Sequence, residues 1–358
     1  MPVTVVVGGQ YGSEGKGKIC AYLSLKDNAD LVVRCGGPNS GHTVDVHGRI
    51  YELKQVPAGF VNPTSRLLLA PGALINPALL LHEIDICGLD ATRIGIDRNA
   101  GIIEDFDRAT EVENSLRDRL GSTGVGMGSA VSRRTLRRAD FRVAAAVAEL
   151  RPFVTSVAEE LAEARRADRK IIVEGTQGFG LSLYHTENWP YCTSRDTTAH
   201  SFLSEVGIGV RNFDVVMAIR TYPIRVGGNS GPLKNEISWG DVRQQSGYPS
   251  PLAEYTTTTK RLRRVARFDW DVVLRAVAAN QPTHLALHGL DYVDYRNLDV
   301  KKVEDLTDRA RSFIDEVAER TGVPVSFGGT GPLVHQLLDL RHVSRRATTL
   351  REVRAAFA

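Results

Sequence analysis

The chain has 358 residues, 42% of them hydrophobic, which is enough to bury a full core. Its 45 basic residues against 42 acidic ones leave a net charge of +3, which gives no footprint for nonspecific nucleic-acid binding. Four cysteines (Cys20, Cys35, Cys87, Cys192) lie far apart with no CxxC pair, and no apolar run reaches membrane-spanning length; neither zinc, a disulfide framework nor a membrane span is indicated, and a reduced, soluble, cytoplasmic protein is expected.

The first predicted element is Val3–Val7, a β-branched run that reads as a buried strand. A helix is predicted over Ser13–Leu25 and a second strand over Asp30–Arg34, which runs into the polar turn Gly36–His42. Arg66–Leu69 reads as a strand, Pro71–Ile86 as a turn and helix, and Ile94–Ile96 as a short strand. Arg142–Asp168 is rich in Ala and Glu with Leu and Val at helical spacing, which predicts one long amphipathic helix. Strands follow at Lys170–Val173, Phe213–Ile219 and Leu285–Leu287, then a helix over Thr307–Thr321 leading into Val323–Phe327. This alternation predicts an α/β fold, with a mainly parallel central sheet covered by helices on both faces. No repeat or linker divides the chain, so residues 1–358 are expected to form one domain.

Gly8–Lys18 reads GGQYGSEGKGK and follows the first strand, where open α/β sheets bind nucleotides. Gly12–Lys18 has the GxxxxGK spacing of a phosphate loop, but Ile19 stands where that motif needs Ser or Thr. Glycines let backbone amides approach an anion, and a following helix N-terminus adds favourable partial charge. The bland alternative is a strand-to-helix turn with surface lysines. Asn39-Ser40-Gly41-His42-Thr43 places a histidine on the loop after the second strand, suited to stabilise an oxygen that gathers charge. Ser122–Gly128 (STGVGMG) is a further glycine-rich loop, while Gln177 and Thr197 sit on turns as neutral hydrogen-bonding groups. Thr256–Thr259 followed by Lys260 and Arg261 combines hydroxyls with guanidinium, which suits a carboxylate ligand or a polar β-edge. Arginines cluster at 133, 134, 137 and 138 and at 261, 263, 264 and 267, either as a solvated face or as a pocket for small anions.

Together these loops resemble the adenylosuccinate synthetase family over most of the chain and in the right order. GSEGKGK is similar to that family's GDEGKGK, NSGHT to NAGHT, STGVGMG to its TTG-rich loop, EGTQG to EGAQG, DTTAH to NTTAG, TTTTKRLRR to ATTGRRRR, and Gly328–Pro332 to its C-terminal base loop. The resemblance implies a ligase that phosphorylates the 6-oxygen of a purine monophosphate and then lets the aspartate amine displace phosphate. It implies Mg²⁺ at Ser13 and the Gly41 carbonyl. It implies a nucleoside triphosphate held by Ser13, Glu14, Gly15, Lys16, Gly17, Lys18, Gly41, His42, Thr43, Arg263, Asp291, Gly329, Thr330 and Gly331. The purine monophosphate falls to Ser13, Asn39, Thr123, Gln177, Thr198 and Arg261, with Arg133 reaching it from the neighbouring subunit of a homodimer. L-Aspartate falls to Thr257, Thr258, Thr259, Arg261 and Arg263. Ser13 and His42 are the implied catalytic positions.

Ser13 is the departure from the family pattern. The matching aspartate in the family removes the purine N1 proton and touches Mg²⁺, and a neutral hydroxyl is a poor base; losing a positioned base costs roughly 10²–10⁴-fold. Either the protein is an inactive nucleotide-binding paralogue, or another group (Glu14, or a water held by Ser13) takes the proton, or the purine differs. The viral branch that makes 2-amino-2'-deoxyadenylosuccinate in the diaminopurine pathway resembles this chain at that serine and takes dGMP in place of IMP. The main expectation is therefore dGMP, with ordinary IMP chemistry as the alternative. Gly289 stands where the family has a base-reading lysine and Asp291 is kept; the viral relatives use ATP or dATP, so the resemblance implies ATP as the donor, with GTP as the alternative.

Overall fold

A computed structural model describes residues 2–46, 48–256 and 260–342. Ten strands form one sheet, in the order Leu337–Asp339, Val325–Gly329, His284–His288, Asp214–Arg220, Val3–Gly8, Ile171–Glu174, Leu31–Arg34, Arg66–Leu69, Ile94–Asp97 and Val154–Thr155. Every neighbouring pair is parallel except the first, Val325–Gly329 with Leu337–Asp339. The first strand of the chain is thus central, flanked by strands from its middle third.

Both faces of the sheet are covered, which is why its strands read as nearly continuous apolar runs. Val3, Val5 and Val7 face one core with Leu161, Phe202, Val273 and Val317 from the covering helices, while Val6 faces the other with Ile19, Leu23 and Leu80. The predicted α/β architecture is the one observed.

Two local expectations fail. Arg142–Asp168 is not one helix: it comprises 3₁₀ turns at Ala144–Ala146 and Ala148–Phe153, the edge strand Val154–Thr155, and a helix only over Val157–Arg166. Pro152 lacks the N–H that an α-helix interior needs. Val154 and Thr155 instead pair with Ile96 and Asp97, and the Asp97 carboxylate accepts from the Val157 N–H (3.0 Å) to start the helix. His42 does not lie within a loop either. It opens His42–Val46, one arm of a hairpin with Arg49–Leu53.

Candidate active site

The parallel register sets chemistry-bearing residues side by side at the carboxyl edge of the sheet. Glu174 is in register with Val6 on one side and Arg34 on the other, and Arg220 is in register with His288. The loops leaving these strands enclose a cavity of about 590 Å³, within the usual range of small-molecule sites.

The loop after the first strand is braced from inside by Glu14, which is fully buried. Its Oε1 accepts from the backbone N–H of Gln10 (3.1 Å) and Gly12 (2.8 Å), and its Oε2 from Lys16 Nζ (2.7 Å). Gly8 and Gly178 are needed for this: a Cβ on either would lie 2.5 and 2.2 Å from a carboxylate oxygen of Glu14. Glu14 is therefore committed to holding the loop. Ser13 sits at the exposed tip in the left-handed region (φ 56°), and its carbonyl accepts from Arg220 Nη1 (3.3 Å).

The helix Lys16–Lys26 begins directly on this loop with no side-chain cap, which leaves its first amides facing the cavity. Lys18 donates to the carbonyls of Gly331 and Gln336 (2.7 Å each), tying this helix to the C-terminal loop. Burial pulls its ammonium down to about 7.

His42 reaches the cavity through a second glycine. A Cβ on Gly17 would lie 2.5 Å from the His42 Cβ, so only glycine lets the strand meet the helix start. His42 Nδ1 lies 3.4 Å from Glu174 Oε1, and Glu174 is itself held by Arg34 and by the Ala58 N–H (2.8 Å). Burial, with Arg34 nearby, holds the imidazole well below its usual range, and Nε2 has no partner among the described residues. The ring is held neutral; with its proton on Nδ1 toward Glu174, Nε2 faces the cavity as an acceptor, and becomes a donor only when the ring takes up a second proton.

The opposite wall is a buried ionic network. Glu254 accepts from Arg220, Arg263 Nη1 (2.9 Å) and Tyr292 Oη (2.9 Å), and the two guanidiniums hold its carboxyl below the usual range against the effect of burial. Asp291 accepts from Tyr248 Oη (2.6 Å), and burial raises its carboxyl.

The sequence profile of the adenylosuccinate synthetase family matches residues 5–148 and 140–300. The adenylosuccinate synthetase of Thermococcus onnurineus is 40% identical over 346 residues, 95% of this chain and 99% of that protein. That of Pyrococcus horikoshii is 40% identical over 348 residues, with the same shares covered. The chain belongs to the adenylosuccinate synthetase family. It is accordingly a ligase that forms a C–N bond. Two solved structures are similar in fold. Fully ligated adenylosuccinate synthetase from Plasmodium falciparum matches with a TM-score of 0.83 at 21% identity, over 95% of this chain and all of that one. The succinoaminodeoxyadenylate synthetase of cyanophage S-2L, bound to dGMP and dATP, matches with a TM-score of 0.78 at 27% identity, over 94% and 95%. The sequence relatives carry the name of the ordinary enzyme, so their names speak for the IMP alternative rather than for the viral branch.

Of the residues implied by the family resemblance, the cavity gathers Ser13, Glu14, Gly15, Lys16, Gly17, Lys18, Asn39, Gly41, His42, Thr43, Thr123, Gln177, Arg263, Asp291 and Gly331. It does not gather five others. Arg133 is buried elsewhere, its Nε and Nη2 donating to the two carboxylate oxygens of Asp107 (2.9 and 2.8 Å). Thr198 donates to Asp196 (2.6 Å) at the start of helix Ala199–Val206. Arg261 precedes Leu262, which bridges Tyr255, and its backbone N–H donates to Thr256 Oγ1 (3.0 Å). Gly329 and Thr330 lie behind Gly331, with Thr330 donating to the Val300 carbonyl (3.2 Å). Thr257, Thr258 and Thr259 fall outside the described residues. Of the two arginine clusters, only Arg263 lines this cavity. Motif reading missed Arg34, Arg220, Tyr248, Glu254 and His288; Arg34, Arg220 and His288 end strands, and the register alone would have found them, while Tyr248 and Glu254 follow the helix Trp239–Ser246 with no local signature.

Proposed function

We propose that this ligase condenses L-aspartate with C6 of dGMP, driven by ATP, to give 2-amino-2'-deoxyadenylosuccinate. The observation that carries the choice of purine is Ser13 at the loop tip with Glu14 turned inward. Glu14 is the nearest stand-in for the family's base, and its carboxylate is already held by two backbone amides and Lys16. A carboxylate matched to an N1–H beside an unsubstituted C2 is therefore lacking at this tip. A short hydroxyl leaves room beside N1 for the 2-amino group of guanine and accepts a hydrogen bond from it.

The chemistry proceeds in two displacements. As the N1 proton passes to a water held by the Ser13 hydroxyl, the 6-oxygen attacks the γ-phosphorus of the triphosphate and ADP leaves; the aspartate amine then adds at C6, phosphate departs, and the amine loses a proton. The amides of Gly15 and Gly17 and the Lys16 ammonium hold phosphate oxygens, as a helix start next to a cation does. His42, with Glu174 beside Nδ1, turns Nε2 to the 6-oxygen and donates to it once the ring has taken up a second proton, which the charge gathering on that oxygen favours. Arg263, fixed by Glu254, faces the aspartate carboxylate. The Ser13 hydroxyl and Gly41 carbonyl are hard oxygen donors on the cavity wall, a set that suits Mg²⁺ sharing phosphate oxygens; the ion supplies neutralisation of the transferring group. ATP is favoured over GTP because Asp291 already accepts from Tyr248 and Gly289 brings no side-chain donor. In a homodimer, Arg133 would serve the partner's monophosphate.

The second reading is adenylosuccinate synthesis from IMP and GTP. Its support is the 38–40% identity to archaeal adenylosuccinate synthetases over 95% of the chain. Purified protein with aspartate, either donor, and either dGMP or IMP separates the two by phosphate release and product mass. Turnover with IMP alone would overturn the dGMP reading and leave the second. Binding without turnover of either purine would overturn both and leave a silent paralogue. Ser13→Asp should shift the ratio of kcat/KM values toward IMP by about tenfold or more.

A further inference from the structure

The phosphate loop makes room for two histidines, and only one belongs to the site as the family resemblance implies it. Gly17 admits His42. Gly15 admits His288: a Cβ there would lie 2.9 Å from both Cδ2 and Nε2 of that ring. On the ring's other side, a Cβ on Gly329 would lie 2.5 Å from Nδ1. His288 is thus clamped between the loop after the first strand and the C-terminal loop, with its Nε2 edge toward Gly15. It ends its strand in register with Arg220, is 7% exposed, and lines the cavity.

Its Nε2 is buried and has no partner among the described residues. Leaving such a group unpaired costs about 1–3 kcal/mol, so the position calls for a ligand atom. The charged groups that act on it are Lys16 and Lys18 from the first helix and Arg220 from the neighbouring strand, all cationic. The carboxylate that follows on its own segment, Asp291, is tied to Tyr248. A polar atom without a partner, in a pocket of cations beside glycine amides, fits a polyphosphate.

We propose that His288 Nε2 donates a hydrogen bond to a phosphate oxygen of the nucleoside triphosphate, which makes it a binding residue for the donor. The inference rests on the reading of the Gly12–Lys18 loop as the triphosphate site. Burial and the neighbouring basic groups keep the ring neutral in the empty site, and in the tautomer protonated at Nε2 it donates without a charge having to be buried first.

The test is calorimetric titration of the full chain, with Mg²⁺ present, by ATP, GTP and inorganic tripolyphosphate. A hydrogen bond to a charged group contributes about 1.5–3 kcal/mol, so His288→Ala should weaken all three by about 10- to 100-fold. His288→Gln keeps an N–H donor at similar reach and should recover binding to within about threefold of the unchanged chain. His288→Phe fills the slot with a ring that has no nitrogen, and should bind as weakly as the alanine variant even where that variant folds poorly. KM for the purine monophosphate and for aspartate should stay within about twofold in each. Tripolyphosphate binding that survives both His288→Ala and His288→Phe would overturn the proposal, as would loss confined to the two nucleotides, which would make His288 a base or ribose contact. Failure of the unchanged chain to bind tripolyphosphate or either nucleotide would overturn the triphosphate reading itself, and this proposal with it.

Discussion

Gly17→Ala isolates the meeting of the first helix with His42. The added Cβ would lie 2.5 Å from the His42 Cβ, against 3.4–4 Å for an ordinary contact, so strand and helix start must part by about 1 Å. Both atoms are bonded to backbone, and neither can swing away as a long side chain would. Overpacking of this kind costs about 1–3 kcal/mol, while replacing glycine inside a helix returns about 1 kcal/mol. The net effect on stability is then about 0–2 kcal/mol, a shift in Tm of a few degrees. The effect on rate is larger, because a displacement of about 1 Å at a reacting group costs about 10²-fold. Phosphate release under saturating substrates should show kcat lowered by that factor, beside a nearly unchanged melting curve. Gly209→Ala, where an added Cβ meets nothing within 4 Å, is the control. A Gly17→Ala enzyme with kcat within twofold of the unchanged chain would refute the placement of His42 at the reacting oxygen.

Two further outcomes follow from groups beside and away from the cavity. Burial lowers the Lys18 ammonium from its ordinary 10.5 to about 7, so between those values the folded chain binds fewer protons than the unfolded one. The burial penalty is full below pH 7, and stability from this group rises with pH across the window; urea midpoints at pH 7 to 9.5 should rise less in Lys18→Met, and parallel curves would contradict the assignment. Arg133→Ala leaves the Asp107 carboxylate without its two guanidinium bonds and should cost about 1.5–3 kcal/mol by denaturant unfolding. If Arg133 also serves the partner's monophosphate, sedimentation should show a dimer for the active enzyme, and a strictly monomeric active enzyme would remove that role.

The central strands were legible because burial on two faces leaves a simple mark: Val5–Val7 and Leu67–Leu69 are short unbroken apolar runs. Arg142–Asp168 misled because its composition favours helix, while Pro152 and the pairing of Val154 and Thr155 with a distant strand decide otherwise. The phosphate loop was legible because close backbone approach needs glycine, and glycine is visible as a letter. What braces it was not. Glu14 has the look of an available carboxylate until Gly8 and Gly178 close on it, and His288 becomes part of the site only when its strand is laid two places from the first. Arg133 shows the converse, a charge in a promising cluster that is paired with an aspartate 26 positions earlier in the chain.

The place of Val3–Gly8 in the sheet also bears on how the chain is made. Its two neighbours are Ile171–Glu174 and Asp214–Arg220, so its backbone stays unpaired on both edges until nearly half of the chain has left the ribosome. Strand pairing over such separations is slow, because the entropy of closing the long loop precedes any contact that rewards it. The nascent protein therefore carries a bare apolar strand for about the first half of its synthesis, and the loop built on that strand takes shape only after that. Between Gly8 and Gly17 the chain holds five charged or hydrogen-bonding side chains in ten residues, which gives that waiting segment a polar flank against association with other chains.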